Sequence, residues 1–191
     1  QLSLPSVSSE SADGNRPASG TAPAFIPGQK IHGFDDAVYV GPLATTGGFA
    51  CLHKIFERRD NLYYAMKIPR EAAIRSPQQR RHFVEEALRL AELPWHPNLV
   101  KVVQFLEYDN YPILFTEYIE GPTLSTLFSS MTKPMNLQTE TEDPAPTRPE
   151  YTMSRPVLAL QMAGKVAQGL DFAYREAGLT HLDLKPDNIL I

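Results

Sequence analysis

His181-Leu182-Asp183-Leu184-Lys185-Pro186-Asp187-Asn188-Ile189-Leu190-Ile191 closes the sequence and holds more chemistry than any other stretch. Six residues carry a carboxylate at Asp183, an ammonium at Lys185 and an amide at Asn188, and an apolar Ile-Leu-Ile run follows. Asp183 can accept a proton from an attacking hydroxyl. Lys185 can neutralise charge on a group in transfer, and the Asn188 side-chain oxygen can hold a hard cation. One residue of each kind says little. Their order and spacing say more, and the rest of the chain has to supply a matching binding site.

At 191 residues the chain can bury one sizeable core or two small ones. Its 42% hydrophobic and 21% charged residues are those of an ordinary soluble globular protein. The formal net charge of −4 gives no support to a nucleic-acid partner, whose phosphates call for a basic surface. Cys51 is the single cysteine, so an internal disulfide framework and a cysteine-based zinc site are excluded. No apolar run approaches the roughly 18 residues of a spanning helix, and no segment reads as a signal peptide. A cytoplasmic location is expected, with any membrane anchor outside this stretch. Oligomeric state is not legible. The chain starts at Gln1 and stops inside an apolar run, which suggests a fragment.

Residues 1–28 are rich in Ser, Pro, Gly and Ala and show no sustained period, as in a disordered leader. Strands are expected over Asp36–Leu43, Cys51–Phe56 and Leu62–Ile68, in an antiparallel meander turned at Arg59-Asp60-Asn61. Between the first two, Gly47 and Gly48 would let the backbone approach a phosphate chain. Alternation along the third strand sets Ala65 and Lys67 on one face and Tyr64, Met66 and Ile68 on the other.

A helix follows with a readable start: Ser76 as N-cap, Pro77 at the first position and Gln79 closing a capping box. Its apolar stripe is Phe83, Ala87 and Leu90, with Glu86 on the same side and Glu85 rotated away. A carboxylate facing the core needs a partner, and Lys67 is the obvious one. Val100–Tyr108 and Pro112–Ile119 pair across Asp109-Asn110, completing a five-stranded sheet with one main helix. Past Gly121-Pro122, a short helix spans Leu124–Met131 and a flexible acidic insertion spans residues 133–153. Periodicity resumes from Val157 in a helix of about twenty residues ending at Gly178. The fold class is α+β.

H-L-D-L-K-P-D-N closely resembles the catalytic loop of eukaryotic-type serine/threonine protein kinases, usually H-R-D-L-K-P-E-N. Tyr64-Ala65-Met66-Lys67-Ile68 resembles that family's V-A-I-K strand, and His96-Pro97-Asn98-Leu99-Val100 its H-P-N-I-V segment. The resemblance covers about residues 36–191. It implies an N-lobe and hinge over residues 34–120 and the start of a helical C-lobe over residues 121–191.

It also implies ATP and Mg²⁺ as cofactors and a protein as substrate. Lys67, fixed by Glu86, would hold the α and β phosphates. Asp183 would orient the substrate hydroxyl and take its proton, Lys185 would contact the γ-phosphate, and Asn188 would bind one Mg²⁺. His181 would brace the loop. In the nucleotide site, Gly47, Gly48 and Phe49 form the glycine-rich loop with Phe49 at its tip, and Ala65 lies against the adenine. Thr116 takes the gatekeeper position, the Glu117 carbonyl and Ile119 amide bond the adenine edge, and Thr123 lies near the ribose. Lysine at 185 matches the serine/threonine-directed pattern.

Two departures stand out. Thr45 and Ala50 replace outer glycines of the loop, and weaker ATP affinity is expected. Leu182 replaces an arginine that in many members pairs with a phosphorylated activation loop, so activity independent of that phosphate is expected. The resemblance places D-F-G, the second metal site, after Ile191, and residues 157–191 should leave much apolar surface uncovered. A pseudokinase or scaffold is the alternative reading, with a small-molecule kinase behind it.

Overall fold

The computed structural model describes residues 22–43, 49–108, 111–132 and 155–191, with side chains omitted at 131–132 and 155–156. The glycine loop with Thr45, Gly47 and Gly48, the leader through residue 21 and the insertion over residues 133–153 lie outside the described residues. Five strands form one sheet: β1 (Ala37–Pro42), β2 (Ala50–Glu57), β3 (Leu62–Pro69), β4 (Val102–Tyr108) and β5 (Tyr111–Glu117). Their order is β1-β2-β3-β5-β4, and every neighbouring pair is antiparallel. Among the described residues three α-helices accompany them: α1 (Pro77–Glu92), α2 (Leu124–Thr132) and α3 (Arg155–Ala177). This is the expected α+β architecture, an antiparallel sheet with one main helix followed by the first helices of a second lobe.

Local chemistry sets most element ends. Asn61 turns β2 into β3 with φ +56°, a conformation asparagine tolerates because its short amide can bond locally. Ser76 caps α1 as anticipated: its Oγ accepts from Gln79 N at 3.1 Å, and Gln79 Oε1 accepts from Ser76 N at 3.0 Å. The helix stops at Leu93, which Pro94 holds in an extended conformation. At the end of α3, Gly178 N donates to Tyr174 O at 2.8 Å and Leu179 N to Ala173 O at 3.2 Å, using two otherwise orphan carbonyls.

Alternation along β3 puts Met66 and Ile68 in the core and leaves Lys67 exposed. On that core face they join Ile31, Tyr39, Ile55, Ile113 and Phe115. The surprise is what covers them. Ala22, Phe25 and Phe34 pack onto this cluster from the segment preceding β1. Phe25 stacks on Tyr39 with ring centroids 5.6 Å apart, and Phe34 meets Phe115 edge-on at 5.0 Å. Backbone bonds tie the segment down, Gly28 N to Tyr39 O at 2.8 Å and Tyr39 N to Gln29 O at 2.8 Å. The expected disordered leader is therefore corrected over residues 22–28, which are part of the folded lobe. Phe25 and Phe34, with Ile31 between them and Pro and Gly interspersed, gain enough burial to order the segment.

Helix α1 lies chiefly against β4, and Arg80 pairs with Glu107 of that strand at 2.9 Å. Its stripe buries Ala87 and half-buries Phe83 and Leu90. The link to the second lobe is the turn at His96. Its Nδ1 accepts from Asn98 N at 3.2 Å, and its ring stacks on Phe172 of α3 with centroids 4.7 Å apart. Gly169 permits that approach, because a Cβ there would stand 2.9 Å from Asn98 O. This agrees with a structural role for His96. Elsewhere the second lobe is open: Leu160, Tyr174 and Leu184 are exposed, and Leu182 is 94% exposed.

Candidate active site

The loop at the end of the chain gathers its three chemical groups. Lys185 Nζ lies 2.6 Å from Asp183 Oδ2, and Asn188 Nδ2 donates to Asp183 O at 2.8 Å and to Oδ2 at 3.4 Å. A 3₁₀ turn over Pro186–Asn188 folds Asn188 back onto Asp183. The hydrogen bond from Lys185 and its positive charge hold the Asp183 carboxyl below its ordinary range, with smaller help from Asn188 and His181. Asp183 therefore carries its negative charge against the Lys185 ammonium. The expected bracing by His181 is not formed; its ring is exposed and makes no ring contact or hydrogen bond among the described residues.

Main-chain pairing fastens this loop to the chain leaving the sheet. Leu124 N donates to Ile189 O at 2.8 Å, Ile191 N donates to Pro122 O at 3.1 Å, and Thr123 bridges Leu190. Gly121, with φ +152°, allows the crossing, since a Cβ there would stand 2.2 Å from Ile191 O. Thr123 is thereby set beside the loop. Its hydroxyl accepts from Thr126 N at 3.2 Å and so also caps α2. The Thr123-Leu124-Ser125-Thr126 run carries the sequence signal for that cap.

Across the sheet, Ala65 is paired with Thr116, and Lys67 with Leu114. Directly paired residues share a face, so Ala65, Lys67 and Thr116 line one surface. Thr116 Oγ1 donates to Glu117 O at 3.1 Å, while the Glu117 carboxylate accepts from Lys101 N at 2.7 Å. The Glu117 side chain therefore anchors the chain as it leaves the sheet, and no sequence signal pointed to this bond. Ile119 follows, half-buried, and Phe49 is exposed immediately before β2.

One expected contact is absent. Lys67 and Glu86 are both exposed, and no ion pair within 4.0 Å joins them. The physical reason is the seat of α1 on β4, which leaves Glu86 in water where neither charge loses hydration. As for a metal, Asn188 uses its N–H₂ on the loop and keeps a hard oxygen, which suits Mg²⁺. No cluster of three His, Cys, Asp or Glu side chains placed to hold a metal occurs among the described residues.

Comparison with known proteins gives this geometry its context. The sequence profile described as "Protein kinase domain" matches residues 43–191. A probable serine/threonine-protein kinase of Clostridium perfringens is 28% identical over 145 residues, covering 76% of this chain and 18% of that protein. A Wee1-like protein kinase of Xenopus laevis is 28% identical over 146 residues, covering 76% of this chain and 22% of that protein. The chain thus spans about a fifth of the length of these curated relatives. Among solved structures, the Mycobacterium tuberculosis PknI kinase domain superposes with a TM-score of 0.65 at 20% identity. That match covers 88% of this chain and 59% of the PknI chain, and it shows a shared fold. The chain belongs to the protein kinase family, whose domain it matches over residues 43–191.

Proposed function

We propose that the full-length protein transfers the γ-phosphoryl group of ATP to serine or threonine hydroxyls of protein substrates. The observation that carries this reading is the Asp183–Lys185–Asn188 cluster, with its ionised carboxylate held by a lysine 2.6 Å away. The substrate oxygen bonds to the γ-phosphorus, the bond from that phosphorus to the β–γ bridging oxygen breaks, and ADP leaves. The hydroxyl proton passes to Asp183. Lys185 swings from Asp183 to the γ-phosphoryl oxygens, Lys67 holds the α and β phosphates, and Glu86 meets Lys67 when α1 moves toward β3. The Asn188 side-chain oxygen would help to hold Mg²⁺, which would supply charge neutralisation at the phosphates. The ring of adenine lies on Ala65, bonded by the Glu117 carbonyl and the Ile119 amide. A cytoplasmic location fits the ATP requirement, and no helix among the described residues is long and apolar enough to cross a membrane.

Asp183→Asn keeps the shape of the loop and removes the proton acceptor. Transfer to a generic basic protein should fall about a hundredfold or more, while the Kd for Mg·ATP stays within about twofold. Unchanged transfer would remove Asp183 from its role. The unpaired Lys67 and Glu86 favour one second reading, a pseudokinase or scaffold. Its signature is Mg·ATP binding by the wild type with no transfer at all.

A further inference from the structure

We infer that Lys54 is a positioning residue for the adenine-binding hinge, acting through the ring of Tyr118; this rests on the nucleotide reading above. Lys54 of β2 is paired with Ala65, and Ala65 with Thr116, so all three occupy the face assigned to the nucleotide. The Lys54 ammonium sits 3.9 Å from the Tyr63 ring centroid and 4.0 Å from that of Tyr118. Tyr63 in turn meets Tyr118 edge-on at 6.2 Å, and Phe56 tilts against Tyr63 at 4.9 Å.

No carboxylate lies within 4.0 Å of Lys54 among the described residues, so the rings, and no ion pair, hold this cation. Lysine normally extends its ammonium into water; two ring faces inside about 6 Å are a specific alternative. Tyr118 lies between Glu117 and Ile119, whose backbone groups would read adenine. On the β4 side the hinge is tied by the Glu117 carboxylate to Lys101 N. On the β2 side, Lys54 supplies the matching hold. Fixing the Tyr118 ring fixes the peptide planes on either side of it, and adenine then binds without ordering them.

The test measures Kd for adenosine and for Mg·ATP on the full-length protein, with the rate at saturating ATP. Lys54→Met should raise both Kd values about fivefold and leave that rate within about twofold. Adenosine carries no phosphate, so a loss shared by both ligands separates hinge placement from charge attraction. Lys54→Arg should restore binding, and Tyr118→Leu combined with Lys54→Met should be no worse than either alone. A folded Lys54→Met protein with unchanged adenosine affinity, or fully additive losses in the double variant, overturns the inference. A wild type that binds neither ligand overturns the nucleotide reading itself, and the inference with it.

Discussion

Glu57 is the one charged side chain that is fully buried among the described residues, and three backbone bonds explain how it is tolerated. Its carboxylate accepts from Asp36 N at 3.1 and 3.2 Å and from Arg59 N at 3.1 Å, joining the start of β1 to the β2–β3 turn. Glu57→Ala leaves two amides without acceptors and should cost about 1–3 kcal/mol of stability, read by denaturant unfolding. His53 sits in the same lobe with Nδ1 2.9 Å from Tyr39 OH, and burial lowers its pKa below the ordinary 6.5. The unfolded chain therefore binds the proton more readily than the folded one. Stability should be fully present above about pH 6.5 and decline as pH falls below it. In His53→Phe that slope should shrink; an identical slope in both proteins would contradict the assignment.

At the scale of elements, α1 separates what was legible from what was not. Its capping box and its end at Pro94 follow from neighbours in sequence, and both could be read directly. Ser76→Ala should cost about 1 kcal/mol in thermal or denaturant unfolding. The pairing of Glu86 with Lys67 could not be read, because it depends on where the whole helix rests. The stripe Phe83, Ala87, Leu90 says which side turns inward; it does not say that β4 is the strand it meets. With both charges solvated, Glu86→Gln should change stability by less than about 0.5 kcal/mol while lowering transfer. A clear loss of stability would mean that the pair already exists in the free protein. β3 was the easier case, since a period of two leaves little choice once Met66 and Ile68 are buried.

For the molecule as a whole, the segment over residues 22–34 is the feature that composition concealed. Its prolines and glycines read as linker, yet Phe25, Ile31 and Phe34 cover the sheet face opposite Ala65 and Lys67. Such packing joins residues far apart in sequence and leaves no periodic trace. Phe25→Ala should destabilise the lobe by roughly 1–3 kcal/mol, less than a fully buried phenylalanine would cost. Regulation is read at the same scale. Leu182 extends into solvent and cannot pair with a phosphate, so phosphatase treatment of the full-length protein should leave most activity intact. Loss of nearly all activity would contradict that expectation.

The most direct test of the whole account is to follow the γ-phosphate itself. The full-length wild type and Asp183→Asn are incubated with γ-labelled Mg·ATP and a basic protein substrate, and the labelled amino acids are then identified. Phosphoserine and phosphothreonine are expected with the wild type, and almost none with Asp183→Asn. Label confined to tyrosine, or no label despite tight Mg·ATP binding, would contradict the proposed transfer.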